Sequence, residues 1–118
     1  MYRKNSYQDS ELLLSGRELE AHVLTKMANR LRVCKKDWKD KKTLVETLEK
    51  NMLLLSIFQE NLTNGDCEQP DDVRLNLLRL INFMDTRTYK IMSNELTEPD
   101  SLNVLINMNN SIAKGLRS

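Results

Sequence analysis

The sequence predicts an all-α protein, a small bundle of four amphipathic helices with a loose N-terminal tail. Three observations support this fold class. The 118 residues include only three Gly and two Pro, so helices can run far without interruption. Apolar residues recur at three- and four-residue spacing in four separate stretches, and no run alternates as a strand would. We therefore expect a tail over residues 1–14 and one helical domain over residues 15–118.

The first helix is predicted to begin at Ser15 and to end near Lys36. Ser15 and Glu18 have the spacing of a capping box, in which the hydroxyl accepts a backbone N–H and the Glu reaches back. In the polar tail before it, Leu12–Leu14 is an exception that can dock on the helical body. One face of the helix is apolar, formed by Leu19, Val23, Leu24, Met27, Ala28, Leu31 and Cys34.

The second helix is predicted to begin at an N-cap, either Asp40 or Thr43. It should stop at Asn64-Gly65, because both residue types tolerate the left-handed conformation at a helix C-terminus. Its main apolar face contains Leu44, Leu48, Met52, Leu55, Phe58 and Leu62, and Val45, Leu54 and Ile57 widen it.

Two proline-initiated helices complete the predicted bundle. Pro70 and two aspartates open the third, since acidic side chains favour a helix N-terminus, and this helix should end near Glu95. Pro99 opens the fourth, and Gly115 is predicted to terminate it. The third helix carries Val73, Leu77, Leu80, Ile81, Met84 and Ile91 on its predicted packed face, and the fourth carries Leu102, Leu105, Ile106 and Ile112.

The composition argues against several classes of function. Eighteen basic and seventeen acidic residues give a net charge of +1, without the basic excess typical of nucleic-acid binders. One His, no paired CxxC motif and no Gly-rich phosphate loop predict that the protein is no enzyme and holds no metal or cofactor. The absence of a signal peptide or a long apolar run predicts a cytoplasmic protein that makes no membrane contact.

A lysine-rich stretch around Trp38 is one candidate for binding. Lys35, Lys36 and Lys39 flank the indole, and an aromatic among lysines can stack on an RNA base while the lysines hold phosphates. The alternative is a solvated junction with Trp38 folded onto the edge of the bundle. Two aspartates interrupt the stretch, which favours the junction.

A second candidate is the width of the apolar faces on the two middle helices. With Met52–Leu55 on one helix and the pair Leu77-Leu78 on the other, these apolar faces are wider than one narrow line of helix contact requires. Either these helices are buried on two sides, or the bundle leaves an apolar groove that can hold an amphipathic partner helix. The sequence leaves both possibilities open.

The C-terminal segment LNVLINMNNSIAKGLRS, Leu102 to Ser118, resembles the closing segment of the FlaF family, which reads like LIDINxxIMRGLR. Further segments are similar to family patterns in the right order, from SGRELEA through LSIF to PDDVRLNLLRL. The chain departs from the family pattern at Leu55, where Trp is usual, at Asn107 for Asp, at Met108 for Ile and at Gly16 for Pro.

This resemblance implies a flagellin-specific regulator, adaptor or secretion chaperone that binds newly made flagellin and couples its synthesis and export to flagellum assembly. The alternative that it implies is action on flagellin mRNA together with the FlbT regulator. A homodimeric bundle without another partner is a third possibility, so the protein is expected to be a monomer or a homodimer.

For partner contacts we expect the C-terminal segment, because three Asn interrupt its apolar pattern and an Arg follows. The alternative is a solvated final helix whose Asn side chains face water. The expected contact residues are Leu105, Asn107, Asn109, Asn110, Ile112, Leu116 and Arg117.

Overall fold

The computed structural model describes residues 16–64 and 69–117. The predicted tail, its Leu12–Leu14 segment, the Ser15 cap and Gly65 lie outside these described residues. Within them all regular structure is helical, which confirms the fold class. The helices are α1 (Gly16–Lys36), α2 (Lys41–Thr63), α3 (Asp71–Met92) and α4 (Asn103–Arg117), with a 3-10 turn at Pro99–Leu102 before α4.

A short junction over residues 37–40 separates α1 from α2, and Asp40 is the N-cap of α2. The Asp40 carboxylate accepts hydrogen bonds from the Thr43 backbone N–H at 3.1 Å and the Thr43 hydroxyl at 2.6 Å. These hydrogen bonds hold the pKa of Asp40 below its usual range, because they favour the charged form. Of the two predicted caps, Asp40 is therefore the one used. At the other end, α2 stops at Thr63 as predicted, but Asn64 is extended, not left-handed.

The end of α3 is set by Asn94. Its φ of 63° is left-handed, a conformation that Asn tolerates better than most residues. The chain reverses there, so that the backbone N–H groups of Glu95 and Leu96 both donate to the Lys90 carbonyl, at 2.9 and 3.0 Å. The helix consequently ends at Met92, three residues before the predicted end.

The last helix differs from its prediction at both ends. Pro99 opens a 3-10 turn, and the α-helix proper begins only at Asn103. The expectation that Gly115 terminates the helix was wrong, since α4 continues through it to Arg117.

The packing is uneven around the bundle. α1 and α4 make the most extensive contact, α2 packs against α1, and α3 packs mainly on α2 with a smaller contact to α4. Ile57, Val73 and Leu80, which were predicted on packed faces, are exposed. None of the described helices is long and apolar enough to cross a membrane. The main core residues are Leu24, Leu31, Leu48, Leu55, Met84, Leu102 and Leu105.

Candidate partner-binding groove

An open apolar groove lies between the N-terminal half of α3 and the C-terminal half of α4. It consists of two adjoining pockets of ≈ 360 Å³ and ≈ 390 Å³. Both are lined by Gln69, Leu77, Ile112 and Leu116, so they form one continuous surface, which we call the α3–α4 groove. The first pocket extends toward the start of α1 and the end of α2, and the second toward the outer face of α3.

The groove is open because the described helices cover the first turns of α3 only in part. No side chain from Asp71 to Leu80 is buried, whereas Ile81, Met84 and Ile91 farther along are. Val73 and Leu80 line the second pocket and are 38% and 37% exposed. Apolar side chains left in this state favour contact with another apolar surface.

One charged pair stands at the wall of the first pocket. Arg17 and Glu20 project there from the first turns of α1. Burial raises the pKa of Glu20, because it penalises the charged carboxylate, and the nearby Arg17 guanidinium partly opposes that effect. The rest of the described lining is mainly apolar, so the charges lie at one end of the groove.

Two residues of the expected C-terminal contact set lie in this groove. Ile112 and Leu116 are half-buried and line both pockets. Asn107 is exposed and Asn110 half-buried, and neither lines the groove. The Arg117 side chain instead lies on α1, with its Nε 3.8 Å from a Glu18 carboxylate oxygen.

The other two, Leu105 and Asn109, are fully buried inside the bundle. The alternative, a final helix whose Asn side chains face water, is therefore wrong for Asn109. Its Nδ2 donates to Asn51 Oδ1 at 2.8 Å and to the Leu24 carbonyl at 3.5 Å. These hydrogen bonds connect α4 to α2 and α1, so Asn109 has a structural role in this fold. Because it is fully buried, a partner cannot reach it.

The lysine-rich stretch forms a junction, and Trp38 is folded onto the bundle. The Trp38 Nε1–H donates to the Thr97 carbonyl at 3.0 Å, and the Lys41 ammonium lies 3.7 Å from the ring centroid. Lys35 is 3.4 Å from an Asp100 carboxylate oxygen, while Lys36 and Lys39 are exposed. The indole therefore has a hydrogen-bond partner, and one of its faces is covered.

The family of the chain is decided by a comparison with protein-family profiles. The profile described as flagellar protein FlaF matches residues 3–116. The chain belongs to the FlaF family. This match confirms the resemblance noted in the sequence and makes the chain a flagellar protein. No curated protein and no solved structure matches it significantly.

In this FlaF-family chain, the α3 side of the groove was not among the expected contact residues. The apolar spacing predicts a packed face that contains Val73, Leu77 and Leu80, and this spacing does not reveal which turns of the helix are covered. The only signal for them was that the apolar surface of α3 is too wide for one seam. That signal predicted a groove as one of two possibilities, without its location.

Proposed function

We propose that this FlaF-family protein is a cytoplasmic, flagellin-specific adaptor or secretion chaperone. It binds newly made flagellin in the α3–α4 groove and so couples flagellin synthesis and export to flagellum assembly. The role is one of binding, not catalysis. Family membership supports the flagellar part of the proposal, and the open apolar groove supports the binding of a chain segment.

The observation that carries the proposal is a pair of apolar ridges facing one groove. On α3 the ridge has the i, i+4, i+7 spacing, and on α4 the spacing is i, i+4, i+8, so each ridge follows one face of its helix. An amphipathic helix laid between such ridges buries its own apolar face, as in other helix-in-groove complexes. The ridge residues are Val73, Leu77 and Leu80 on α3, and Met108, Ile112 and Leu116 on α4.

Flagellin fits this groove as an occupant. Its terminal segments are amphipathic and unfolded before export, so they need an apolar surface against which to order. A half-open groove suits a temporary complex, because the flagellin segment must leave again when it is exported.

The alternative, action on flagellin mRNA with an FlbT-type regulator, has less support from the geometry. An aromatic ring that stacks on a base needs an accessible face. The Trp38 ring carries the Lys41 ammonium on one face, and its indole N–H is bonded to the Thr97 carbonyl. We therefore favour flagellin as the direct partner.

Titration calorimetry with monomeric flagellin, full length and trimmed at each end, tests the proposal. We expect micromolar or tighter binding with a negative heat-capacity change, since apolar surface is buried. The trimmed forms identify the terminal segment that binds. Leu80→Glu should weaken binding on the order of tenfold or more, because it places a charge in the apolar contact.

Leu75→Glu is the matched control. Leu75 lies on the same helix and is 45% exposed, against 37% for Leu80, but it lines neither pocket of the groove. The control should bind flagellin like the unaltered protein. Equal weakening by both substitutions would contradict the groove as the site, and no binding by the unaltered protein would move the test to a mixture with an FlbT-type regulator.

A further inference from the structure

We propose that, in the free protein, the Leu12–Leu14 segment of the same chain occupies the first pocket of the α3–α4 groove. The protein then carries its own competitor for the groove. The intramolecular contact stands independently of the partner, whereas the competition rests on the proposed function.

The first argument is position. Gly16 and Arg17, where the described part of the chain begins, line the first pocket. The preceding residues therefore leave from the wall of the pocket itself. Leu14 is two residues from Gly16, and Leu12 is four residues away, a reach of at most about 14 Å for extended chain.

The length of the leucine segment agrees with the length of the pocket. On α1 the pocket wall runs from Gly16 to Leu24, a distance of about 12 Å along the helix axis. Three extended residues span roughly 10 Å. A leucine segment that turns back from Gly16 is thus long enough to cover the pocket, without any rearrangement of the bundle.

The backbone at Gly16 supports such a turn. Its φ of 55° is left-handed, which Gly adopts freely and other residues rarely do. Gly16, which borders the pocket, is thus itself outside the right-handed geometry of α1, and it is a residue at which a chain can turn back.

The chemistry of the segment matches that of the pocket. Leu55, Phe58, Leu62 and Ile81 form much of the pocket wall. The chain up to Ser15 is otherwise polar, apart from two tyrosines and Met1, and Leu12–Leu14 is its one consecutive apolar run. These four wall residues are already buried, so docking of the leucine segment removes from water its own apolar surface and that of the half-buried Leu77, Ile112 and Leu116.

The same contact would exclude a partner. Leu77, Ile112 and Leu116 line both pockets, so a leucine segment in the first pocket covers part of the ridges that a partner helix needs. A partner must displace the segment, and its apparent affinity falls by the fraction of molecules in which the groove is open.

Methyl NMR on the full-length chain tests the intramolecular contact. The five isoleucines give five δ-methyl signals. Ile81 and Ile112 line the first pocket and report on it, whereas Ile91 is buried about 15 Å farther along α3 and serves as the internal reference.

The test variant is Leu12→Asp, Leu13→Asp, Leu14→Asp. Its matched control adds the same three charges to polar positions of the same segment, as Ser6→Asp, Gln8→Asp, Ser10→Asp. We expect the Ile81 and Ile112 signals to move in the leucine variant, to stay in place in the control, and the Ile91 signal to stay in both. Unchanged Ile81 and Ile112 signals in the leucine variant would overturn the proposal.

A synthetic peptide of residues 8–15, added to the leucine variant, should return the Ile112 signal toward its original position. The same peptide with the three leucines replaced by Asp should not. The leucine variant should also bind the flagellin segment on the order of tenfold more tightly than the unaltered chain, if the groove is open in about one molecule in ten. Moved methyl signals with unchanged flagellin affinity would establish the intramolecular contact and overturn the competition alone.

Discussion

The α1–α4 pair and the first half of α3 differ in how far their apolar side chains are buried. The contact between α1 and α4 is the most extensive in the bundle, and the two helices carry three small buried residues, Ala21, Ala28 and Ala113. In the first half of α3 no side chain is buried, although Val, Leu and Leu recur at helical spacing there. Both regions are amphipathic by sequence, but the described helices cover the apolar face of the first half of α3 only in part.

This difference shows that amphipathicity measures the tendency of a face to be buried, not its burial within the same chain. Where the bundle supplies the covering helix, the face becomes core. Where the described helices do not, the face stays partly exposed, as the first half of α3 does along the α3–α4 groove. Three substitutions, taken from the largest expected effect to the smallest, sharpen this comparison.

Leu105→Ala should be the most destabilising of the three. Leu105 is fully buried in α4, so its truncation loses apolar burial and leaves a cavity, at a cost of about 2–5 kcal/mol in the free energy of unfolding. Leu75→Ala, on the exposed half of α3, should cost no more than about 0.5–1 kcal/mol. Urea unfolding followed by circular dichroism measures both, and similar costs would remove the contrast between the two regions.

The Asn51–Asn109 pair offers an intermediate effect. Asn109→Ala leaves the buried Asn51 amide without its partner and should cost about 1–3 kcal/mol in the free energy of unfolding. Asn51 Nδ2 and Asn109 Oδ1 have no hydrogen-bond partner among the described residues, so the pair is only partly satisfied. The double change Asn51→Leu, Asn109→Leu should therefore cost less than either Leu change alone.

A double-mutant cycle, with guanidinium unfolding of the four proteins, measures that coupling. A coupling near zero would mean that the two amides contribute independently, and that their hydrogen bond does not connect α2 and α4 energetically.

The smallest expected effect concerns Asp85, which lies where α3 passes from its exposed half to its packed half. Burial raises its pKa above the ordinary 3.8, and its buried Oδ1 has no hydrogen-bond partner among the described residues. A raised carboxyl pKa means that the folded state binds the proton more tightly than the unfolded state does. The protonation of Asp85 thus contributes to the free energy of unfolding. This contribution is complete below pH 3.8 and is lost as the pH rises through the folded-state pKa.

Asp85→Asn should consequently raise the Tm slightly at neutral pH, and the difference from the unaltered protein should vanish below pH 3.8. Thermal unfolding at the two pH values measures it. Asp100→Asn, at an exposed carboxylate beside Lys35, is the control and should not raise the Tm at neutral pH. A Tm increase equal for both substitutions would mean that the effect is one of general charge, not of burial.

Much of the fold could be predicted from local sequence signals. Asp40 caps α2 and Pro70 precedes α3 as predicted, because caps and prolines act on the backbone within one turn. The left-handed turn at Asn94 is equally local, yet the apolar spacing through Met92 obscured it. Gly115 misled the prediction, since a glycine is tolerated inside a helix that other contacts hold in place.

The site could be predicted only in part. Ile112 and Leu116 were expected as contacts and lie in the groove, but the exposure of Val73 and Leu80 depends on how far α4 extends over α3. The burial of Asn109 depends on Asn51, which is 58 positions away, and no local pattern connects them. Tertiary packing decides both the exposure of Val73 and Leu80 and the burial of Asn109, and sequence periodicity does not predict that packing.

The glycine inside α4 has a consequence for how the protein moves. Gly115 is exposed, and a methyl group built on it would meet nothing within 4 Å, so the site gives up helix propensity of about 1 kcal/mol relative to Ala without a steric reason. The last turn of α4 should therefore open and close as a separate small unit, with faster amide exchange than the rest of the helix. Because Leu116 belongs to that turn, one wall of the groove can change its conformation to fit a bound segment, while the rest of the bundle stays folded.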